Sequence, residues 1–282
     1  MKFKKVYIEL SDICGLGCSF CPILKNKRGI MSVENFRKTL KEFENRADII
    51  ALHILGDPLI LSNLKSYLEV AKEQNSNIEI TTSGVFLDAS RADLLLSYQN
   101  IKQINISLTS FFHQKRVAFK QYLSNIFYLC DQFSGDGFIN LRLWNLDSEL
   151  KPLNDNSKFY EALGLHFGLN IDKKAQKTRL KRHILLTQGK TFEWPTIKGD
   201  GEASGRCYGL EKQIGVLSSG VVVPCCMDAG GVIELGNIFQ SSLDEIYHSK
   251  RATLIREGFK KNLSVEPLCK NCTFKFARVK QI

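Results

Sequence analysis

Lys5-Val-Tyr-Ile-Glu-Leu10-Ser-Asp-Ile-Cys14-Gly-Leu-Gly-Cys18-Ser-Phe-Cys21 is the stretch that decides the fold. Its first six residues read as a strand, and three cysteines follow at once in a glycine-bearing loop. Three thiolates this close can hold three irons of a cubane cluster and leave the fourth iron open. A structural zinc wants four ligands, so a zinc reading needs a distant fourth residue. Gly15 and Gly17 begin a dinucleotide-type glycine pattern, but no third glycine completes it.

Outward from this loop, strand and helix patterns alternate. Strands are expected at 5–10, 49–55, 77–82, 104–109 and 138–146, and helices at 33–45, 63–74, 89–98 and 114–133. Ser32, Ser62 and Asp88 stand where N-caps belong. A repeat of roughly 25–35 residues is the size of a βα unit. The fold class is α/β, a parallel sheet with helices outside, and a barrel is one closure of it.

Side chains alternate across a strand, so one face can be read against the other. Tyr7 and Glu9 oppose Val6, Ile8 and Leu10. Glu79, Thr81 and Ser83 oppose Ile78 and Ile80. Asn105, Ser107 and Thr109 oppose Ile104, Ile106 and Leu108, and Asn140, Arg142 and Trp144 oppose Ile139, Leu141 and Leu143. A filled parallel barrel reads apolar on both faces. Here one face is polar in strand after strand, as expected of a ligand cavity. His53 breaks the apolar second strand, and its plain reading is a satisfied core histidine.

The chain has 282 residues, 44% hydrophobic and 24% charged, ordinary for a globular protein. No run of about 18 apolar residues suggests a membrane span. The basic start, Met1-Lys-Phe-Lys-Lys5, precedes an apolar stretch broken by Glu9 and Asp12, unlike a signal peptide. The reading is a cytoplasmic protein with reduced thiols. Its nine cysteines then point to metal ligation rather than disulfides. The formal net charge is +10, and two cubanes with their thiolates would bring it to about +7. Basic runs at 173–182 and 250–280 are read as solvated surface, with an acidic partner as the alternative.

Cys14, Cys18, Phe20 and Cys21 fit Cys-x3-Cys-x-aromatic-Cys after a first strand. In this the chain resembles the radical S-adenosylmethionine superfamily. The resemblance implies a partial (β/α)6 TIM-like barrel and a 4Fe-4S cluster on Cys14, Cys18 and Cys21. It also implies that the open iron binds S-adenosylmethionine and that reductive cleavage yields a 5′-deoxyadenosyl radical. Gly56-Asp57-Pro58 stands where the family has Gly-Gly-Glu-Pro, with Leu55 for the first glycine and Asp57 for the glutamate. Thr82, Ser83 and Gly84 match the family's third-strand end, and Ser107 a fourth-strand serine. Phe20, Gly56, Asp57, Pro58, Ser83, Ser107 and Arg142 are thereby expected to bind the cofactor. Arg142 is also the candidate catalytic residue or substrate contact, its alternative being an ion pair with Glu79 or Glu9.

Between 150 and 205 the pattern is weaker. Residues 184–186 and 192–194 flank Gln188-Gly189-Lys190 and read as a hairpin or a last barrel strand. Residues 213–217, Ser218-Ser219-Gly220 and 221–223 read as a hairpin, and a helix is expected over 242–256. Cys207-x12-Gly220-x4-Cys225 followed by Cys269-x2-Cys272 resembles a shortened SPASM, or twitch, module. That implies a hairpin–helix unit over 201–282 behind a core barrel over 1–200. It also implies an auxiliary 4Fe-4S cluster on Cys207, Cys225, Cys269 and Cys272. Cys226 can replace Cys225, and a structural zinc stays open here. Cys130 reads as core.

Two 4Fe-4S clusters with S-adenosylmethionine imply anaerobic chemistry and an external low-potential electron donor, a flavodoxin or ferredoxin. A fully ligated second cluster has no open iron, so electron transfer is its work, and a dehydrogenase-like oxidation of a small molecule is the leading expectation. An anionic substrate is one option the charge leaves open, and a monomer is expected. The alternatives are a redox-neutral outcome, an RNA- or nucleotide-modifying enzyme, and a SPASM-type peptide or protein maturase. The last would be supported by a leader-binding extension, for which the N-terminus offers no room.

Overall fold

The computed structural model describes residues 1–22, 27–191 and 193–277. Strand and helix alternate as β1 (Phe3–Ile8), α1 (Val33–Glu42), β2 (Ala47–Ala51), α2 (Leu64–Glu73), β3 (Ile78–Thr82), α3 (Ala89–Leu96), β4 (Ile101–Ser107), α4 (Phe119–Gln132), β5 (Phe138–Leu146) and α5 (Ser157–Phe167). The hairpin β6 (Lys177–Lys181) and β7 (Ile184–Lys190) follows. Then come β8 (Gln213–Val216), β9 (Val221–Val223), β10 (Gly236–Asn237), α6 (Leu243–His248), α7 (Lys250–Lys260), α8 (Pro267–Lys270) and α9 (Phe274–Ala277).

The strands form one sheet in the order β10-β9-β8-β1-β2-β3-β4-β5-β7-β6. Neighbours from β8 through β7 are parallel, and β6, β9 and β10 join antiparallel. β1 to β5 and β7 give six parallel strands of the partial barrel, and β8 adds a seventh beside β1. Val6, Ile8, Ile80, Ile104, Ile106 and Leu141 face outward into one core with Phe36 and Leu40 of α1, Tyr67 of α2, and Ile126 and Cys130 of α4. The apolar face of each strand thus buries against helices, and the polar face turns inward.

Three local expectations are corrected. α2 is capped at Asn63, not Ser62, because the 3-10 turn Pro58–Ile60 and the Leu64-to-Leu61 backbone bond carry the chain one residue further before it coils. Of the two readings around Gln188-Gly189-Lys190, the last barrel strand holds and the hairpin turn does not: these residues lie inside β7, where Leu146 registers with Lys190, and the hairpin turns instead at Arg182-His183 between β6 and β7. Phe192, one of the three residues of the expected second arm, lies outside the described residues. The helix over 242–256 is two helices, since Ser249 adopts ψ 153 and caps α7 through Ala252 N at 3.3 Å.

Much of the basic run at 173–182 is β6, the edge strand of the sheet. Exposed lysines on an edge discourage pairing with another chain, so this charge serves the fold.

The ends of β1 and β2 meet at Gly56. It adopts φ +73, and a Cβ there would lie 2.1 Å from the carbonyl oxygen of Ser11 and 3.0 Å from that of Ile13. Asp57 N donates to Ile13 O at 3.1 Å across the same contact. Only glycine fits a left-handed residue pressed on backbone. Gly56→Ala is expected to lose about 2 kcal/mol or more of stability, read as a fall in the thermal unfolding midpoint.

Candidate active site

β1 leaves the sheet and enters a loop closed at its neck. Ser11 pairs with Ile30, and Met31 N donates to Leu10 O at 2.9 Å. The buried Asp12 carboxylate accepts from Arg28 N at 2.7 Å and Gly29 N at 3.0 Å. Cys14, Cys18 and Cys21 all lie within this closure, the first two half-buried and the last exposed. Burial, then the Asp57 carboxylate, push the Cys14 thiol up to about 11. A bond between Cys18 and Cys21 lowers the first and raises the second.

Glu9 lies beneath the loop, fully buried. Arg28 grips it in a fork, Nε to Oε2 at 2.9 Å and Nη2 to Oε1 at 2.7 Å. Leu55 N donates to Oε1 at 3.2 Å. Ser218, on the β8–β9 turn, donates its N–H at 3.0 Å and its hydroxyl at 3.1 Å to Oε2. One carboxylate thus ties the cysteine loop, the end of β2 and the start of the C-terminal region. Sequence reading placed Glu9 on the polar face but missed its partners; its even spacing from Tyr7 was the available signal.

Asp57 is also buried, and its carboxylate is fully engaged. Oδ1 accepts from Leu59 N at 3.0 Å; Oδ2 accepts from Thr82 Oγ1 at 3.0 Å, Ser83 N at 2.8 Å and Ser83 Oγ at 2.5 Å. Burial raises it against these bonds. Asp57 therefore locks the ends of β2 and β3 together. Pro58 opens the 3-10 turn that Asp57 caps. Ser107, at the end of β4, accepts from Ser110 at 3.0 Å. Phe20 sets its ring edge-on to His113, 5.3 Å between centroids.

Inside the barrel the polar faces join. Thr187 Oγ1 donates to Asn140 Oδ1 at 3.0 Å, Asn140 Nδ2 to Asn105 Oδ1 at 3.4 Å, and Asn105 Nδ2 to Thr81 Oγ1 at 3.2 Å. Lys5 pairs with Glu79. Arg142 makes no ion pair with Glu79 or Glu9, because those carboxylates are taken by Lys5 and Arg28. Its guanidinium instead lies over Trp144, 4.5 Å from the ring centre. Among the described residues, the buried Arg142 Nε and His53 Nδ1 have no hydrogen-bond partner, so His53 is not the satisfied core residue expected. Burial pushes His53 down to about 4 and Arg142 to about 10. A neutral imidazole and a guanidinium with open donors suit binding of a polar ligand group.

Cys130 is core on α4, and the other five cysteines lie in the C-terminal region. Burial raises Cys225, and Cys226, Cys207 and Cys269 add to it; burial raises Cys269, with Cys207 and Cys272 adding. Cys226 also packs, with Leu55 and Trp194, against a small core that includes Tyr7, Ala51, Ile54 and Val223. Trp194 Nε1 donates to Phe20 O at 2.9 Å, so this indole connects the two cysteine regions. Gly220, φ +87, turns the hairpin. Thiols that raise one another's pKa ionise together only around a cationic core, so the donor chemistry of both sets fits iron–sulfur clusters. Among the described residues no three such groups converge on one point as a single ion requires; a cubane spreads its thiolates over separate irons.

Residues 8–141 match the Radical SAM superfamily, and residues 207–273 match the iron-sulfur cluster-binding domain SPASM. The chain is 23% identical, over 96% of its length and 92% of the relative's, to an S-adenosyl-L-methionine-dependent 2-deoxy-scyllo-inosamine dehydrogenase of Niallia circulans. It is similar to the structure of BtrN in complex with AdoMet and 2-DOIA, with TM-score 0.63, 19% identity, and coverage of 97% of this chain and 94% of that one. It is also similar to Streptococcus suis SuiB bound to the precursor peptide SuiA, with TM-score 0.64, 16% identity, and coverage of 96% and 71%. The chain belongs to the radical S-adenosylmethionine superfamily and carries a C-terminal SPASM module. Its cofactors are a 4Fe-4S cluster, an auxiliary cluster and S-adenosylmethionine.

Removing one partner of a buried ion pair costs about 3–5 kcal/mol. Glu9→Gln is therefore expected to lower the denaturation midpoint strongly and to release iron faster under chelator challenge. For His53 the folded value of about 4 lies below the ordinary one of about 6.5. Between these the unfolded chain binds the extra proton, so stability should fall as pH drops from about 6.5 to about 4. His53→Gln should flatten that fall by up to about 1.4 kcal/mol per pH unit, measured by urea unfolding at several pH values.

Proposed function

We propose that this enzyme oxidises a hydroxylated small molecule at a C–H bond. The observation carrying this reading is the second, separate set of cysteines, built onto the same sheet as the catalytic loop. Cys207, Cys225, Cys269 and Cys272 together leave no iron of a cubane open, which suits electron transfer rather than substrate ligation. The division between barrel and auxiliary module is proposed near residue 200.

When bound, a cluster held by Cys14, Cys18 and Cys21 with S-adenosylmethionine would supply radical hydrogen-atom abstraction, and a cluster held by Cys207, Cys225, Cys269 and Cys272 would supply a one-electron acceptor, so that a substrate alcohol losing a hydrogen atom, an electron and a proton would end as a carbonyl. The chain's own residues do the rest. Cys14, Cys18 and Cys21 hold the first cluster, and Asp12 and Glu9 fix their loop. Backbone at Leu55, Gly56 and Asp57, with Phe20, Ser83 and Ser107, borders the cofactor. Asp57 holds those edges in register. Arg142 and His53 contact substrate with the polar atoms they leave open. An anionic group on the substrate would suit Arg142. The electron donor is a flavodoxin or ferredoxin.

The dehydrogenase named above, alignable along nearly the whole chain, supports the small-molecule reading. A peptide substrate is the second reading, motivated by equal structural likeness to the peptide-bound SuiB.

Anaerobic reconstitution should load about eight irons per chain and give reductive formation of 5′-deoxyadenosine. Replacing Cys14, Cys18 and Cys21 by Ala should remove about four irons and abolish that product. Replacing Cys269 and Cys272 by Ala should spare cofactor cleavage and stop substrate turnover. Normal 5′-deoxyadenosine formation by the triple variant would sink the reading. A modified peptide, in place of an oxidised small molecule, would select the second.

A further inference from the structure

The segment leading into Cys207 is wrapped on the turn that carries Cys269 and Cys272. A Cβ on Gly201 would lie 2.5 Å from the Lys270 carbonyl carbon and 2.4 Å from Asn271 Oδ1. Ser264 N donates to Ala203 O at 2.6 Å, and Gly205 N donates to Asn262 O at 2.9 Å. Into this junction runs Lys275, 1% exposed. Its stem lies on Gly205, where a Cβ would stand 3.1 Å from Lys275 Cδ. Its ammonium donates to the Lys270 carbonyl at 3.0 Å and to the Glu202 carbonyl. Lys270 stands inside Cys269-x2-Cys272, and Glu202 lies five residues before Cys207.

Lysine is almost never fully buried without compensation, and taking an ammonium out of water is costly. The place where it is buried here is the junction of the segments that bear three of the four cysteines. A 4Fe-4S core on four thiolates has a net charge of about −2 oxidised and −3 reduced, and nearby charge is one of the determinants of its potential. A fixed cation favours the more negative state.

We propose that Lys275 is a positioning residue of the auxiliary cluster, which joins its ligand segments and raises its reduction potential toward electron acceptance. The proposal rests on the assignment of Cys207, Cys225, Cys269 and Cys272 as ligands. With a more negative potential, the cluster would accept the electron of the substrate radical less readily, while cofactor cleavage at the first cluster would proceed.

The test is an EPR-monitored redox titration of the reconstituted full-length protein as wild type, Lys275→Met and Lys275→Arg, with iron counted in each. The auxiliary signal is the one unmoved by adding S-adenosylmethionine. In Lys275→Met the ratio of reduced to oxidised cluster at fixed potential should fall about tenfold, which is about 59 mV for one electron. Lys275→Arg, which keeps the charge, should titrate near wild type. Loss of auxiliary iron from Lys275→Met but not from Lys275→Arg would also support the charge. An unmoved midpoint in a fully loaded Lys275→Met overturns the proposal. Loss of iron from both variants overturns it too, assigning Lys275 to packing alone. Only about four irons in the wild type would instead fail the ligand assignment beneath it.

Discussion

One buried carboxylate organises this molecule. Glu9 has no exposure to water, and an isolated carboxylate there would be prohibitive. It is tolerated because Arg28 meets it bidentately and Leu55 and Ser218 fill its remaining lone pairs. The partners come from three distant parts of the chain, so satisfying one charge fixes three elements at once. The fork to Arg28 returns the cysteine loop to the sheet, Leu55 ties in the chain just past the end of β2, and Ser218 brings in the hairpin that precedes Cys225. Gly56 completes the arrangement by letting backbone lie on backbone.

The same economy runs through the barrel interior. Thr81, Asn105, Asn140 and Thr187 satisfy one another in a chain across four strands, which rigidifies a polar layer that water would otherwise enter. Above that layer the bonding stops at Arg142 and His53. A site made of a locked network with a few open donors is pre-organised for a ligand.

Most of the barrel was legible because its signals are periodic. The 104–109 and 138–146 stretches alternate cleanly, and their polar faces do turn inward. The cysteine loop was legible because its spacing is local. What sequence could not carry was partnership at a distance. Arg28 is one basic residue in a basic stretch, and nothing in it announces Glu9. The carboxylates weighed as alternative partners for Arg142, Glu79 and Glu9, went to Lys5 and Arg28 because strand register, not residue type, decides which charge arrives first. Trp194 sat in a weakly patterned region, and its link to Phe20 is a bond from a side chain to a carbonyl, to which pattern is blind. Ser249 ended a helix that periodicity ran through, since a serine serves equally well inside the polar face or as a cap.

The pairing of β1 with β8 has a consequence in time. Lys5 registers with Gln213, so β1 has a neighbour that the ribosome makes 208 residues later. At about 5–20 residues per second, that wait is roughly 10–40 s. Through it, one side of β1 is an unpaired edge and Glu9 lacks Ser218. On that side β1 is thus enclosed only once β8 emerges, and the nascent chain must keep it from other partners until then.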